Sequence, residues 1–160
     1  MRIETKLEEL GLVLPSAAKV PPGVEFSFPW VRRRGSRLFI SGHGPQLPDG
    51  ELAGPYGKVG ADLTVEQGYQ AARLAALSIL GSLKRELGDL DRVVAWLRVF
   101  GMVNAAPDFT RTTVVINGFS ELILQIYGQD AGAHARSAVG VAALPFGLPV
   151  VIEAEVEIAE

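Results

Sequence analysis

The sequence predicts one α+β domain in which a mixed β-sheet carries two long helices on one face. The predicted elements follow the order ββαβ and then αββ. Apolar residues recur at helical spacing in two long segments, and the last strand alternates apolar with acidic residues. A chain of 160 residues fits a single domain. We divide it into an N-terminal helix and arm over residues 1–24 and a core over residues 25–158.

The first elements are predicted from short local patterns. Ile3, Leu7 and Leu10 have helical spacing and precede a glycine, which predicts a short N-terminal helix. Residues 14–22, rich in proline and alanine, are expected to run as an extended arm. Strands are predicted over residues 26–33 and 37–41, joined by a turn at Gly35 and Ser36. Residues 46–60 lack periodicity and predict a surface loop.

The first long helix has a defined start and stop. Thr64 and Gln67 have the spacing of a capping box, and Gly88 follows the last periodic residue. The next segment, residues 93–103, is almost continuously apolar, which predicts a strand buried on both faces, by a helix on one side and by other strands or another subunit on the other.

The second long helix is predicted to open at Pro107, with Asp108 or Thr110 as its cap, and to end at Gly128. Asn117 and Gly118 stand in its middle, where glycine costs about 1 kcal/mol relative to alanine. The pair therefore predicts a close approach of another element at this point.

The closing segment places Arg136 at the head of two apolar strands that are separated by Pro145, Gly147 and Pro149. A guanidinium on an apolar strand needs an acidic partner, and its planar fork suits a carboxylate. That carboxylate could come from a ligand or from a glutamate of the last strand. The strand pattern alone favours a solvated strand end or a structural ion pair.

Two long helices on one face would leave the other face of the sheet uncovered. With little chain left to cover it, symmetric copies of the molecule are the expected cover.

Composition excludes several classes of function. Apolar residues make up 48% of the chain and charged residues 21%, which is typical of a folded globular protein. The chain has no cysteine, which excludes disulfides, thiolate metal sites and cysteine nucleophiles. The charged N-terminus is unlike a signal peptide, and no segment predicts a membrane span, so a cytoplasmic protein is expected.

The charges and histidines point to neither nucleic acid nor metal. With a net charge of −3, the chain does not predict a positively charged surface for nucleic acid. The run Arg32, Arg33 and Arg34 is too short to form one. His43 and His134 are far apart and lack the spacing of metal ligands. We expect no metal and no cofactor.

Four segments together resemble the RidA family, also known as YjgF/YER057c/UK114, and within it a divergent subgroup related to the Atu1372-like proteins. The segments are FISGHGP, GYQAARLAALSILGSLKRELGDLDRV, NAAPDF and HARSAVGVAALPFGLPVVIEAEVEI. The resemblance covers residues 25–158, and the closing arginine, proline and glycine turn, and glutamate-bearing strand are its most specific part.

The resemblance implies a chorismate-mutase-like fold, assembled as a homotrimer whose sheets form a central barrel with three clefts between subunits. It implies cofactor-free hydrolysis of reactive enamines and imines, such as 2-aminoacrylate, to 2-keto acids and ammonia. By position, Arg136 would hold the substrate carboxylate, Ala138 would supply a backbone amide and Glu153 would position the hydrolytic water. Asn117 and Gly42 fall near the family's helical asparagine and loop glycine.

Physical chemistry agrees with these roles. Arg136 can form a bidentate pair with a planar 2-imino acid, a net interaction of roughly 1.5 to 3 kcal/mol. An imine already hydrolyses in water, so a carboxylate clamp and a positioned water can suffice. Glu153 also fits an interpretation without a catalytic role, as one of several exposed acidic residues on the last strand.

The chain departs from the family pattern in one wall of the implied cleft. Phe28 stands where many RidA proteins have a tyrosine, and Pro29 and Trp30 follow it. A pocket walled by Phe28, Trp30 and Phe146 would be more apolar and would suit a bulkier side chain than that of 2-aminoacrylate. Tyr56 and His43 are the alternatives for replacing the lost hydroxyl.

Two other functions compete with a deaminase. One is a non-enzymatic trimer that binds a small carboxylate metabolite or a protein partner in the same cleft. The other is a ribonuclease or translation inhibitor, a label that this family often carries. The acidic balance and the lack of a catalytic histidine pair argue against the ribonuclease.

Overall fold

A computed structural model describes all 160 residues. It contains three α-helices, five β-strands and two short 3₁₀ turns, at Leu90–Arg92 and Pro145–Gly147. The helices and strands, in chain order, are α1 (Arg2–Glu9), β1 (Val31–Arg34), β2 (Arg37–His43), α2 (Val65–Leu87), β3 (Val93–Asn104), α3 (Thr112–Tyr127), β4 (Ala135–Val141) and β5 (Val150–Ile158).

The five strands form one mixed sheet in the order β1-β2-β5-β3-β4. Strands β3 and β4 are parallel, and every other neighbouring pair is antiparallel. The parallel pair is connected by α3, because parallel neighbours need a crossover connection. Strand β4 is therefore an edge strand with α3 beside it, while β1 forms the opposite edge.

Helices α2 and α3 pack against each other and cover one face of the sheet. The capping box predicted at Thr64 and Gln67 is present, and Gly88 and Gly128 cap α2 and α3 as predicted. The two helices approach closely at Gly118, because a Cβ there would lie 2.1 Å from the Tyr69 carbonyl oxygen. The close approach predicted at Asn117 and Gly118 is thus confirmed, and its partner is α2.

The hydrophobic core lies between the helices and the sheet. Residues of β2, β3 and β5 face this core, and along β5 they alternate as the period of two predicts. On β5 they are Ile152, Ala154, Val156 and Ile158, all of them buried. Ile3 and Leu7 of α1 belong to the same core, so the N-terminal helix packs against the domain.

The other face of the sheet is uncovered in the single chain. It carries exposed or half-buried side chains, among them Phe39 on β2, Arg98 and Phe100 on β3, and Glu153 on β5. In the single chain only the helix-covered face of β3 is buried. Cover of its second face by another subunit stays a prediction.

Two predicted boundaries are wrong. Helix α3 begins at Thr112, with Arg111 at its N-cap and no side-chain cap, because the segment after Pro107 forms a turn in which the Phe109 amide bonds the Ala106 carbonyl. The first strand begins at Val31 and not at residue 26. Residues 26–30 lie outside the strand, and the rings of Phe26, Phe28 and Trp30 pack against one another there.

None of the three helices combines the length and the apolar character that a membrane crossing requires.

Candidate functional site

Arg136 faces α3 from the edge strand β4. Its Nη1 donates to Asn117 Oδ1 at 2.8 Å and to Ser120 Oγ at 3.1 Å, and its Nη2 lies 3.4 Å from the Thr113 carbonyl oxygen. The three partners are spaced i, i+4 and i+7, so they form one stripe along α3. We call Arg136, these three residues and His134 the arginine edge.

The glutamates of β5 are not the partners of Arg136. Arg136 lies opposite Val99, which lies opposite Ala154, and both are buried beneath the helices. Glu153 lies opposite Phe100 and points to the uncovered face. The structural ion pair that the strand pattern favoured is therefore wrong, because the register of β4 and β5 puts the cation and the acids on opposite faces.

Arg136 has no carboxylate within ion-pair distance in the chain. Its protein partners are neutral oxygen atoms, and partial burial lowers the pKa of its guanidinium from the usual value. A cation that is partly desolvated without a counter-ion favours an anionic ligand. This is the electrostatic character of the arginine edge.

Ala138 lies on β4 two residues beyond Arg136 and on the same face of the strand. It packs against the core, and its carbonyl oxygen accepts a hydrogen bond from Thr112 Oγ1 at 3.1 Å. Asn117 and Ala138 thus both lie beside Arg136, the first on α3 and the second on β4.

A second group of predicted residues lines a cavity of about 180 Å³ where β2 ends beside the start of β5. Phe28, Trp30 and Gly42 belong to its wall, and Phe26 completes a cluster of three aromatic rings whose centroids lie 5.2 to 5.5 Å apart. Val151 is the residue of β5 in this wall. We call this pocket the aromatic cavity.

Gly42 makes room for the β5 side chain in this wall. A Cβ at Gly42 would lie 2.7 Å from Val151 Cγ1, which is too close for two carbon atoms. The glycine therefore lets the end of β2 pass directly over Val151. Any larger residue would move the strand or the valine and change the shape of the aromatic cavity.

Phe146 contributes another aromatic ring to the cavity wall. Its backbone has φ of 59°, the left-handed region that bulky residues rarely adopt. Such a conformation costs on the order of 1 to 2 kcal/mol. The turn after β4 thus holds an aromatic side chain where glycine would be less strained, which points to a role for the ring.

His43 lines the aromatic cavity but is not free to act as a base. Its Nδ1 lies 2.6 Å from the Ser41 carbonyl oxygen and its Nε2 lies 2.8 Å from Ser82 Oγ, so both ring nitrogens are bonded within the protein. Burial lowers the pKa of His43 from 6.5 to about 4, and the ring is neutral at pH 7.

The Tyr56 hydroxyl is also bonded within the protein. Its hydroxyl donates to the Leu52 carbonyl oxygen at 3.1 Å, and Tyr56 is not among the residues of the cavity wall. Neither Tyr56 nor His43 therefore offers a free hydrogen-bonding group in place of the lost tyrosine hydroxyl.

Glu153 lies in a neighbouring depression on the uncovered face, together with Phe39, Arg98, Phe100 and Glu155. It is two residues from Val151 on the same face of β5, which is a separation of roughly 6.8 Å along the strand. In the single chain Glu153 therefore contacts neither the aromatic cavity nor Arg136.

One group of side chains has the geometry of a metal site. Glu4, Asp89 and Asp91 place ligand oxygens within 4.8 Å of one another. These oxygens already accept hydrogen bonds: Asp91 from the amides of Arg2 and Ile3, and Glu4 from the Leu90 amide and Lys84 Nζ. The cluster therefore ties α1 to the turn before β3.

The structure brings the predicted residues together in two separate groups. Arg136, Asn117 and Ala138 lie at the arginine edge, while Phe28, Trp30 and Gly42 line the aromatic cavity. Glu153 belongs to neither. Sequence reasoning missed Thr113 and Ser120, although the polar residues at 113, 117 and 120 of a largely apolar helix carried a helical-spacing signal.

Comparison with known proteins gives a consistent match. Residues 4–153 match the family model described as "YjgF/chorismate mutase-like, putative endoribonuclease". Protein TCP17 of Trypanosoma cruzi is 42% identical over 158 residues, which cover 98% of this chain and 94% of that protein.

Two solved structures are similar over nearly the whole chain. The protein Atu1372 of Agrobacterium tumefaciens, of unknown function, is 38% identical with a TM-score of 0.85, covering 98% of this chain and 91% of that one. A structure from Shewanella oneidensis is 32% identical with a TM-score of 0.86, covering 98% and 99%.

The resemblance to the RidA family and to the Atu1372-like proteins is thus confirmed, as is the mixed α+β fold. The chain belongs to the YjgF/chorismate mutase-like family.

Proposed function

We propose that the protein hydrolyses 2-imino acids, and the enamines that tautomerise to them, to 2-keto acids and ammonia. The observation that carries the proposal is Arg136, a half-buried guanidinium held by three neutral oxygen atoms and paired with no carboxylate. A planar 2-imino carboxylate supplies the missing negative charge in the geometry that a guanidinium binds best.

The aromatic cavity supports a substrate with a bulky apolar side chain. An apolar cavity of about 150 Å³ is large enough for a benzene ring, and the aromatic cavity measures about 180 Å³. Its wall contains Phe26, Phe28, Trp30 and Phe146, so a phenyl or branched alkyl group would replace water there.

Assembly of copies would bring the two halves of the site together. The arginine edge lies on the edge strand β4, whereas the aromatic cavity lies at β2 and β5, and no residue of the arginine edge lines the cavity. Contact between β4 of one copy and the β2 region of the next would be heterologous, and such contacts close into a ring when the rotation fits. A homotrimer is the ring that we propose. The uncovered sheet face, with exposed Phe39, would be covered in it.

The proposed chemistry needs little from the protein. Water adds to the C=N carbon, a proton moves to nitrogen, and the carbinolamine expels ammonia to leave the keto acid. Arg136 orients the substrate through its carboxylate, and Glu153 positions the water when the neighbouring copy brings the cleft together. None of these three steps requires a metal or an organic cofactor.

The test is turnover of imines generated in the assay by an amino-acid oxidase. With phenylalanine or leucine as the source, we expect the purified protein to accelerate keto-acid release. Arg136→Ala should lose the acceleration, and Glu153→Gln should lower kcat. Glu157→Gln is the matched control, because it changes an exposed glutamate on the same face of β5. No acceleration with any of a panel of imines would contradict the proposal.

A second candidate is a module that binds a small carboxylate without turnover. The observation that favours it is the aromatic cavity itself, whose titratable lining groups are Lys19 and a His43 that is neutral and fully bonded. Saturable binding of phenylpyruvate that depends on Arg136, together with no imine hydrolysis, would establish this function in place of the first.

A further inference from the structure

We propose that Ser120 and His134 are positioning residues that hold the guanidinium of Arg136 with one edge free for a carboxylate. The inference rests on the proposed role of Arg136 as the carboxylate anchor. It is carried by a chain of hydrogen bonds that runs from the Gly132 carbonyl through His134 and Ser120 to Arg136.

The contacts of Arg136 define which edge is free. A guanidinium has five N–H hydrogens. Nη1 donates to both Asn117 Oδ1 and Ser120 Oγ, and Nη2 donates to the Thr113 carbonyl oxygen. Nε makes no hydrogen bond within the chain, and Nη2 carries a second hydrogen, so the edge formed by Nε and Nη2 can still bind a ligand. Two parallel N–H donors of this kind match the two oxygens of a carboxylate.

Ser120 can serve Arg136 only as an acceptor, so its single hydroxyl hydrogen must point elsewhere. His134 Nε2 lies 2.8 Å from Ser120 Oγ. His134 Nδ1 lies 2.8 Å from the Gly132 carbonyl oxygen, which cannot donate, so Nδ1 carries the ring hydrogen and Nε2 accepts. The Ser120 hydroxyl therefore donates to His134 and presents a lone pair to Arg136.

A neutral His134 is required for this arrangement. Protonation at Nε2 would turn the acceptor into a donor and reverse the Ser120 hydroxyl. The surroundings oppose it, since burial and the charge of Arg136 on β4 lower the pKa of His134, while the Gly132 carbonyl acts in the other direction. The ring's neighbours on α3, Phe119 and Ser120, are uncharged. At neutral pH the hydrogen bonds therefore have one stable arrangement, in which the Ser120 hydroxyl donates to His134 and accepts from Arg136.

The first experiment needs no ligand. Nitrogen-detected NMR should show His134 as the tautomer protonated at Nδ1, and a resolved, slowly exchanging guanidinium signal for Arg136. Ser120→Ala and His134→Phe should broaden that signal, and Ser120→Thr, which keeps the hydroxyl, should restore it.

Ser78→Ala is the matched control, because Ser78 is a buried helical serine that bonds only the Leu74 carbonyl of its own helix. An unchanged Arg136 signal in Ser120→Ala, or a proton on Nε2, would overturn the proposal.

The second experiment measures phenylpyruvate binding by calorimetry. We expect Ser120→Ala to weaken binding on the order of tenfold. The double variant with His134→Phe should lose no more, because both residues act through one chain. In turnover the loss should appear in KM and not in kcat.

The outcomes separate this inference from the proposed function. Full affinity in Ser120→Ala together with lost affinity in Arg136→Ala overturns the positioning role alone. If wild-type protein does not bind phenylpyruvate, or if Arg136→Ala binds it normally, the proposed ligand is wrong. The NMR result then still decides whether Ser120 and His134 hold the guanidinium.

Discussion

The aromatic cavity and the arginine edge differ in almost every physical respect. The cavity is apolar, and the one histidine in its wall is kept neutral by burial. The arginine edge is polar and holds a cation without a counter-ion. A small acid with an apolar side chain combines a carboxylate, which suits the arginine edge, with an apolar group, which suits the cavity. Under the proposed function, each region would bind one end of such a ligand, and the site would be complete only where two copies meet.

The two regions also differ in how they are held in place. The arginine edge is built on α3 and β4. The helical spacing of residues 113, 117 and 120 brings three hydrogen-bond acceptors to the side chain of Arg136. The aromatic cavity is built largely from segments outside the helices and strands, including the arm around Lys19 and the turn that holds Phe146. We therefore expect the arginine edge, which would bind the ligand's carboxylate, to be rigid. We expect the aromatic cavity, which would bind the ligand's side chain, to vary more among relatives.

The largest expected effect is at the arginine edge. Arg136→Ala should weaken phenylpyruvate binding on the order of a hundredfold, since a bidentate pair worth roughly 1.5 to 3 kcal/mol is lost. Calorimetry measures the affinity. The matched control is Arg33→Ala, which removes an exposed strand arginine whose bond is to the Gly35 carbonyl. A loss shared by both variants would mean that net charge, and not this site, governs binding.

The next effect concerns stability on the cavity side. Because the pKa of His43 falls to about 4 in the folded protein, the unfolded chain binds its proton first as the pH drops below 6.5. Its stabilising contribution should be complete above pH 6.5 and should fall by roughly 3 kcal/mol as the pH approaches 4. Urea unfolding across this range measures the slope. The slope should become shallower in His43→Gln, and an unaltered slope would show that His43 is not buried in the neutral form.

A smaller effect separates the two regions by ligand size. Phe28→Ala removes an aromatic wall whose residue is 46% exposed, so folding should be little affected. Affinity for phenylpyruvate should fall about tenfold, as expected from the burial of one aromatic contact, while affinity for pyruvate should stay the same. Leu47→Ala is the control, because Leu47 is equally exposed and lies outside the cavity wall. Equal losses for both acids would place the side chain of the ligand elsewhere.

The smallest effect is at Phe146. Phe146→Gly should leave stability unchanged or raise it by up to about 1 kcal/mol, because glycine adopts positive φ without strain. Phe146→Ala keeps the strain and should be less stable than the glycine variant. Both should bind phenylpyruvate a few-fold more weakly. A glycine variant with lower stability and full affinity would show that the ring serves packing and not the ligand.

Much of the fold could be predicted because its signals are local. The capping box at Thr64 and the stops at Gly88 and Gly128 fix helix ends by backbone chemistry within a few residues. Gly118 could be read in the same way, since a glycine inside a helix costs stability unless another element comes close. The start of α3 was missed because the turn after Pro107 depends on a bond between Phe109 and Ala106.

The site was harder to predict, because it depends on register and on contacts between distant segments. A shift of one residue decides whether Arg136 and Glu153 share a face, and the sequence does not specify that shift. The pairing of Ser120 with His134 joins a helix to the segment before a strand, and nothing local requires it. The aromatic wall was anticipated from the family resemblance, because Phe28 stands at the position of the family's tyrosine, yet the departure of residues 26–30 from the sheet was not.

The most direct test of the account is a crystal structure of the protein with phenylpyruvate bound. We expect the carboxylate to bind the free edge of Arg136 through Nε and Nη2, and the phenyl ring to occupy the aromatic cavity of a neighbouring copy. A carboxylate bound away from Arg136, or a ring outside the cavity wall of Phe28, Trp30 and Phe146, would contradict it.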